Sequence, residues 1–143
     1  MPITFHYRPE VNLVICVHKG NRPDDEFLAA YKGMYKNDLY NISMNRLVDF
    51  RQALSSSRSS SALKELARFV DIQFAGTNAH PKVAVIAPSD LSFGISQMYE
   101  ALSDTAPWDL VVFRAVDAAL AWLGLPEDFM DKFENETQLN APE

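Results

Sequence analysis

Alternating apolar and polar residues open the chain and predict a β-hairpin. Residues 3–8 alternate with a period of two, which is typical of a strand with one solvated face, and Pro9 with Glu10 then supplies a turn. Residues 11–19 are almost continuously apolar, as expected of a strand that is buried on both faces. We therefore expect an edge strand paired antiparallel to a more central strand.

Amphipathic segments then alternate with short apolar runs. The predicted helices begin near residues 24, 61, 90 and 118, and the predicted strands cover residues 46–50, 82–87 and 110–113. Strands that are joined through helices run parallel, with right-handed crossovers. The pattern predicts an α/β fold in the order β-β-α-β-α-β-α-β-α, with a mixed, mainly parallel five-stranded sheet and about four helices.

The spacing of apolar residues predicts the buried face of each helix, and local residues predict the caps. Ser61 is a candidate N-cap for the second helix and Asp117 for the fourth, while Gly124 and Pro126 mark a helix end. The second helix is expected to bury Leu63, Leu66, Val70 and Phe74, and the third helix to bury Ile95, Met98, Tyr99 and Leu102.

Length and charge divide the chain unevenly. Its 143 residues suit one domain with its own core, which we expect over residues 1–126. Residues 127–143 carry about −5 of the net charge of −6, and we expect an acidic, partly disordered C-terminal tail in which Phe129 and Phe133 form one docking turn. The nearly neutral body lacks the basic surface that nucleic acid binding requires.

Composition favours a cytoplasmic globular protein. Hydrophobic residues make up 48% of the chain, but no apolar run is long enough to cross a bilayer. The amino terminus lacks the pattern of a secretory signal, and Cys16 is the only cysteine, which suits a reducing compartment. Cys16 lies in an apolar strand, where we expect a buried structural thiol.

A serine-rich connection follows the strand at residues 46–50 and is the first candidate site. Anions bind well where a strand leads into a helix N-terminus, so this loop could be phosphorylated or bind an anion. The alternative is a linker whose last serine caps the helix. The candidate residues, including two arginines that could hold the anion, are Asp49, Arg51, Ser55, Ser56, Ser57, Arg58, Ser59, Ser60 and Ser61.

Asp49 ends the apolar strand, and its alternatives are a functional acid or a carboxylate that fixes the following loop through backbone N–H groups. The histidines His6, His18 and His80 match no metal-ligand spacing, so we expect no metal. Only five glycines occur, and no nucleotide-binding loop or nucleophile elbow is present. We therefore expect no cofactor and no enzymatic activity.

With this order of elements, the chain resembles the SpoIIAA-like proteins, a small bacterial group related to STAS domains. The resemblance covers roughly residues 3–126 and rests on the opening hairpin and on residues 45–50 and 82–86. It rests most of all on residues 112–123, which have the pattern Phe-x-x-x-Asp-x-Ala-x-x-Trp-Leu. The resemblance implies a non-enzymatic protein that either makes regulatory contacts with a protein partner or carries a lipid or other small apolar ligand.

The resemblance also bears on the serine loop. STAS regulators present a phosphorylatable serine in an Asp-Ser-Ser-Gly motif, but here residues 50–54 separate Asp49 from the serines and no glycine follows. No single serine is therefore assigned. A ligand carrier would need a cavity between the sheet and the helices that begin near Ser61 and Ser89, and a homodimer remains open because edge strands are exposed. The large side chains that would line the cavity, or simply fill the core, are Met34, Phe69, Phe74, Phe93, Met98, Trp108 and Trp122.

Overall fold

The computed structural model describes residues 3–53 and 58–139, which form a five-stranded sheet and five α-helices. The strands are β1 (Ile3–Arg8), β2 (Leu13–Gly20), β3 (Asn45–Ala53), β4 (Lys82–Ile86) and β5 (Asp109–Phe113), and a 3₁₀ turn (Pro9–Val11) joins the first two. The helices are α1 (Asp24–Lys36), α2 (Ser60–Phe74), α3 (Asp90–Leu102), α4 (Val116–Leu123) and α5 (Phe129–Leu139). Within the described residues, no helix has both the length and the apolar character to cross a membrane.

The sheet confirms the predicted mixed topology. Its strands are ordered β1-β2-β3-β4-β5, with β1 antiparallel to β2 and every other neighbouring pair parallel. Each parallel crossover therefore joins a strand to its immediate neighbour, and all three crossovers proceed across the sheet in the same direction. Because such crossovers are right-handed, α1, α2 and α3 all lie on one face of the sheet, and α4 and α5 are left to cover the other.

The two faces have separate cores that follow the alternation of side chains along each strand. On the face of α1, α2 and α3, Val14 and Val48 pack with Met34 and Val70. On the opposite face, Ile15 and Leu47 pack with Leu120 of α4. The four residues expected to be buried on α2 are buried, since Leu63, Leu66, Val70 and Phe74 are each at most 5% exposed.

The number of helices needs a correction. The sequence predicts about four helices and one amphipathic turn near residue 129, whereas α5 runs from Phe129 to Leu139. Its apolar stripe is short, because Met130 and Phe133 are followed mainly by polar residues, so the pattern alone indicates only one turn. Both of these side chains are at most 5% exposed and belong to the core beneath α4 and α5.

Several boundaries also differ from the sequence predictions, among them those of β3, α2 and α4. β3 continues through Arg51 to Ala53, beyond the predicted end at residue 50. The N-cap of α2 is Ser59, whose hydroxyl accepts a hydrogen bond from the Ala62 amide, so the predicted cap Ser61 lies inside the helix. α4 begins one residue before Asp117, with Ala115 as an N-cap that makes no side-chain hydrogen bond. Its predicted end is confirmed, because Gly124 adopts the left-handed conformation (φ 74°) that glycine tolerates.

The buried face of α3 differs most from prediction. Met98 was expected to be buried but is 45% exposed, whereas Ser92 and Ser96 are 2% and 6% exposed. Ile95 and Tyr99 are half-buried, so the helix is rotated from the orientation that its apolar residues predict. The serines are tolerated because that face of α3 borders a cavity.

Candidate functional site

The cavity lies between the sheet and the layer formed by α1, α2 and α3. Counting the part that is open to solvent, the empty space amounts to about 840 Å³. The residues around it come from all five strands, from these three helices and from the connections between them. The central ones used below are His18, Phe27, Tyr31, Arg46, Val48, Phe50, Arg58, Leu63, Leu66, Val83, Val85, Ser92, Ser96, Tyr99, Trp108 and Leu110.

The cavity follows the length of β3. Phe50 and Ala53 border it near the carboxyl end of that strand, Val48 lies midway, and Arg46 lies near the amino end. The exposed lining residues Lys19 and Arg22 are both next to the carboxyl edge of the sheet, which places the mouth there. No parallel strands reverse their order in this sheet, so the cavity does not occupy the switch-point crevice that α/β proteins commonly use.

The charge on the cavity walls has one sign. Its lining includes the cations Lys19, Arg22, Arg46 and Arg58, and none of the described residues that line it is an aspartate or a glutamate. At the mouth, Arg58 lies 3.6 Å from Asp24 and Arg22 lies 3.6 Å from Glu26, so these two cations have acidic neighbours outside the lining. Arg46 lies deeper. In a chain whose net charge is −6, the cavity is therefore a local exception.

Arg46 is a buried guanidinium, with only 5% of the residue exposed. Its Nη2 donates to the Tyr35 hydroxyl at 2.7 Å and to the Tyr40 hydroxyl at 3.4 Å, and its central carbon lies 5.3 Å from the ring centroids of Tyr35 and Trp108. Within the described part of the chain, Arg46 forms no ion pair with a carboxylate, and its buried Nε has no hydrogen-bond partner. Arginine keeps its charge even when buried, so a positive charge without a counterion borders the cavity.

Tyr99 provides a second unsatisfied group at the same end of the cavity. Its hydroxyl is buried and makes no hydrogen bond to any described residue, and its ring centroid lies 6.2 Å from that of Trp108. Burial raises the pKa of this hydroxyl above its ordinary value, so it remains a neutral O–H donor. Unsatisfied buried polar groups are rare in folded proteins, and the two found among the described residues both belong to side chains that line this cavity.

His18 and Tyr31 form a satisfied polar pair on the wall. His18 Nε2 lies 2.7 Å from the Tyr31 hydroxyl, and the imidazole packs at 4.4 Å from the Phe50 ring. Burial, reinforced by the nearby Arg58 charge, lowers the pKa of His18 to about 3, so the ring is neutral near pH 7. His18 is therefore part of the uncharged lining.

The predicted site residues Asp49 and Arg51 lie on the opposite face of the sheet from the cavity. Asp49 is 2% exposed, and its carboxylate accepts hydrogen bonds from the Arg51 amide, Nε and Nη2, each at 3.0 Å. The register between β2 and β3 shifts at this point, between Val17 and Lys19 of β2. This geometry favours the alternative in which Asp49 fixes the backbone. Arg51 also pairs with Glu134 at 2.5 Å and so links β3 to α5.

Replacing Arg51 with methionine is expected to lower the free energy of unfolding by about 2 kcal/mol. Asp49 would keep only a backbone amide donor, and an unpaired buried carboxylate is costly, although the 30% exposure of the Arg51 side chain moderates the loss. Urea denaturation at pH 7 measures this change. Lys132→Met is the matched control, since the ion pair between Lys132 of α5 and Asp128, which precedes the helix, is largely exposed and should contribute less than about 1 kcal/mol.

A second substitution separates the charge effect from the loss of side-chain packing. Adding Asp49→Asn to Arg51→Met should recover part of the stability, because the neutral amide removes the unpaired charge. Equal losses of unfolding free energy in Arg51→Met and Lys132→Met would show that the Asp49–Arg51 pair stabilises the protein no more than an exposed ion pair does.

The predicted serine cluster is only partly within the described structure. Ser55, Ser56 and Ser57 lie outside the described residues. Ser59 is the N-cap of α2, while Ser60 and Ser61 are exposed in its first turn. Whether any of these serines is phosphorylated stays a prediction.

The two arginines of the predicted anion site are not together. Arg58 lies on the cavity side, where it donates to the Arg22 carbonyl and packs 4.4 Å from the Phe27 ring. Arg51 lies on the side of α5. They therefore cannot bind one anion jointly, because the sheet separates them.

Sequence reasoning missed the residues that distinguish the cavity: Arg46, His18, Ser92, Ser96 and Tyr99. A signal for Arg46 was present, because residues 46, 48 and 50 share one face of a strand and Val48 and Phe50 are apolar. A cation on the face of a strand whose other side chains are apolar is unusual and marks a candidate site. Of the large side chains proposed to line a cavity, Trp108 does so, whereas Met34, Phe69, Phe74, Phe93, Met98 and Trp122 are not among the lining residues.

The remaining candidates have structural environments. Burial raises the pKa of the Cys16 thiol to about 12, which disfavours a reactive thiolate. His6 packs against Phe133, and His80 lies 3.2 Å from Asp109 at the surface. In the part of the chain that the structure describes, no cluster of three His, Cys, Asp or Glu side chains could hold a metal ion.

Comparison with known proteins leaves the family open. No family model matches the chain, and no curated protein matches it significantly. The resemblance to SpoIIAA-like and STAS proteins therefore stays a prediction, and only the α/β architecture with its mostly parallel five-stranded sheet is observed.

Proposed function

We propose that the protein is a non-enzymatic binding protein that holds a small, largely apolar ligand between its sheet and the α1–α3 layer. The observation that carries this proposal is the cavity between the two layers, which is bordered by apolar side chains and by two buried polar groups that have no hydrogen-bond partner among the described residues. A closely packed core would leave no such space. Of the two functions that the family resemblance implies, a ligand carrier agrees best with this geometry.

The chemistry of the lining supports binding rather than catalysis. The described lining offers no carboxylate, and Nε2 of the neutral His18 already contacts the Tyr31 hydroxyl. The Ser92 hydroxyl contacts the Ser89 hydroxyl and donates to the Ser89 carbonyl, an arrangement that belongs to the helix cap. The lining thus provides few groups for acid–base or nucleophilic chemistry, which needs a nucleophile next to a base.

A regulatory role through a protein partner finds less support. The serine loop would need nearby cations to bind a phosphate, but Arg51 lies on the other face and Arg58 already contacts Arg22 and Phe27. Phosphosite mapping on protein from its native host tests this alternative directly. A phosphate on the serine cluster that changes binding of a protein partner would favour regulation over carriage.

Filling the cavity is expected to abolish ligand binding without unfolding the protein. Ser96 lines the cavity from α3, so the ring of Ser96→Phe should occupy the space and leave the free energy of unfolding unchanged or higher by up to about 1 kcal/mol. Native mass spectrometry of the unaltered protein should show a co-purifying small molecule. The Ser96→Phe variant should show the bare mass.

The matched control is Gln97→Phe, which places the same ring on the exposed face of α3 and should leave the bound mass unchanged. If the interior is in fact closely packed, Ser96→Phe should instead cost about 1–3 kcal/mol of stability. That loss, together with a bare mass for the unaltered protein, would overturn the proposed function.

A further inference from the structure

Resting on the proposed function, we infer that the ligand is an aliphatic carboxylate whose head group binds Arg46 Nε and the Tyr99 hydroxyl. Both atoms are buried donors without partners among the described residues, and both side chains line the same cavity. A carboxylate has two oxygens that accept such hydrogen bonds. It would satisfy both donors and neutralise the guanidinium in a single contact.

The charge of Arg46 selects an anion over a neutral head group. Its described polar partners are the phenols of Tyr35 and Tyr40, which solvate the guanidinium but carry no negative charge. A buried charge without a counterion is costly, and an anionic ligand would remove that cost on binding. The absence of an aspartate or glutamate from the described lining also means that no side chain there would repel the anion.

The same contacts favour a monoanionic carboxylate over a phosphate monoester. Arg46 is the only cation at the inner end of the described lining, since Lys19, Arg22 and Arg58 lie near the carboxyl edge of the sheet. A phosphate would bring more charge and a third acceptor oxygen, and each buried acceptor needs a donor. One guanidinium and one hydroxyl match a carboxylate in both charge and number of donors.

The shape of the cavity places the aliphatic chain. Arg46 and Phe50 are four strand residues apart, about 13 Å, and Val48 lies between them on the same face. With the carboxylate at Arg46, an extended chain would lie against Val48, Leu66 and Val85 and point to the mouth near Gly20. A medium-length alkyl chain fits this distance.

Isothermal titration calorimetry with two probes of equal chain length tests the head group. Decanoate should bind the unaltered protein roughly 10- to 100-fold more tightly than 1-decanol, as expected for hydrogen bonds to a charged group. In Arg46→Met this ratio should fall to about threefold or less, because both probes would meet an apolar side chain. Tyr99→Phe should reduce the ratio by a smaller factor. Lys19→Met, which removes a cation at the mouth, should preserve it.

The outcomes separate this inference from the proposed function. Retained binding of 1-decanol shows that each variant is folded and that its cavity is open. Equal affinity of the unaltered protein for decanoate and 1-decanol would overturn the carboxylate assignment but leave a ligand carrier intact. Tighter binding of decyl phosphate than of decanoate would overturn the preference for a carboxylate. Failure of all three probes to bind the unaltered protein would argue against the carrier function itself.

Discussion

Replacing Phe133 with alanine is expected to lower the free energy of unfolding by about 3–4 kcal/mol. Phe133 is 5% exposed, packs edge-on against His6 at 5.0 Å and belongs to the core between the sheet and α5. Removing a buried phenyl ring costs its transfer free energy and leaves a cavity. Among the described side chains of α5, Met130 is the only other buried one, so the substitution should weaken the packing of the whole helix.

Equilibrium denaturation in urea measures this effect, and Asn135→Ala is the matched control because Asn135 lies on the exposed face of the same helix. The control should change stability by less than about 0.5 kcal/mol. The comparison also tests the expected division of the chain at residue 126. If Phe133→Ala were as stable as Asn135→Ala, residues 127–143 would be a tail that contributes nothing to the domain.

Acidification from pH 7 to pH 4 is expected to lower the free energy of unfolding by about 3 kcal/mol through His18 alone. Burial lowers the pKa of His18 to about 3 in the folded protein, whereas an exposed histidine titrates near 6.5. Between these values the unfolded chain binds one proton more than the folded chain does. Stability therefore falls as the pH decreases, by up to about 1.4 kcal/mol per pH unit, and the loss is complete below pH 3.

The charged groups near His18 leave its pKa lowered, which is consistent with a loss of stability at low pH. The Arg58 charge adds to the effect of burial, and Asp49 on the other face opposes both only in part. Burial also lowers the pKa of His6, which adds to the loss in the same direction. The contribution of His18 has to be separated from that of the other titratable groups by substitution.

The substitution His18→Gln keeps a polar group near the Tyr31 hydroxyl but removes the titration. Urea denaturation of this variant at several pH values should show a shallower decline in stability between pH 6.5 and pH 4. His80→Gln, at an exposed position, should decline as the unaltered chain does. Parallel curves for His18→Gln and the unaltered chain would show that His18 is accessible to protons in the folded state.

The alternation of residues was sufficient to predict the sheet. Every predicted strand is present, and the single antiparallel pair is the predicted hairpin. Continuous apolar runs in β2 and β4 identify strands buried on both faces, and this information is local to each segment. The buried face of a helix was predicted correctly for the same reason where it consists only of apolar residues, as with Leu63, Leu66 and Val70 on α2.

The sequence predicted less accurately those elements whose position depends on residues distant in the chain. The α5 helix has a short apolar stripe, and its length is supported by contacts that are remote in sequence, such as Arg51 with Glu134 and Arg8 with Glu136. Likewise, Met98 is exposed and Ser96 is buried because α3 borders a cavity rather than a packed core. A periodicity argument assumes that the buried side of a helix is apolar, and a cavity removes that condition.

The sequence by itself determined the order, type and pairing sense of the strands, because side-chain alternation and crossover handedness are properties of each local segment. Only the tertiary structure decided where a site could be. The serine cluster was the most unusual composition in the chain, yet its two arginines are separated by the sheet. Arg46 is the first residue of a predicted strand, but Tyr35 of α1, Tyr99 of α3 and Trp108, which directly precedes β5, enclose it. Burial of a charge that has no carboxylate partner among the described residues is a property of the assembled layers, and it is the observation on which the proposed ligand depends.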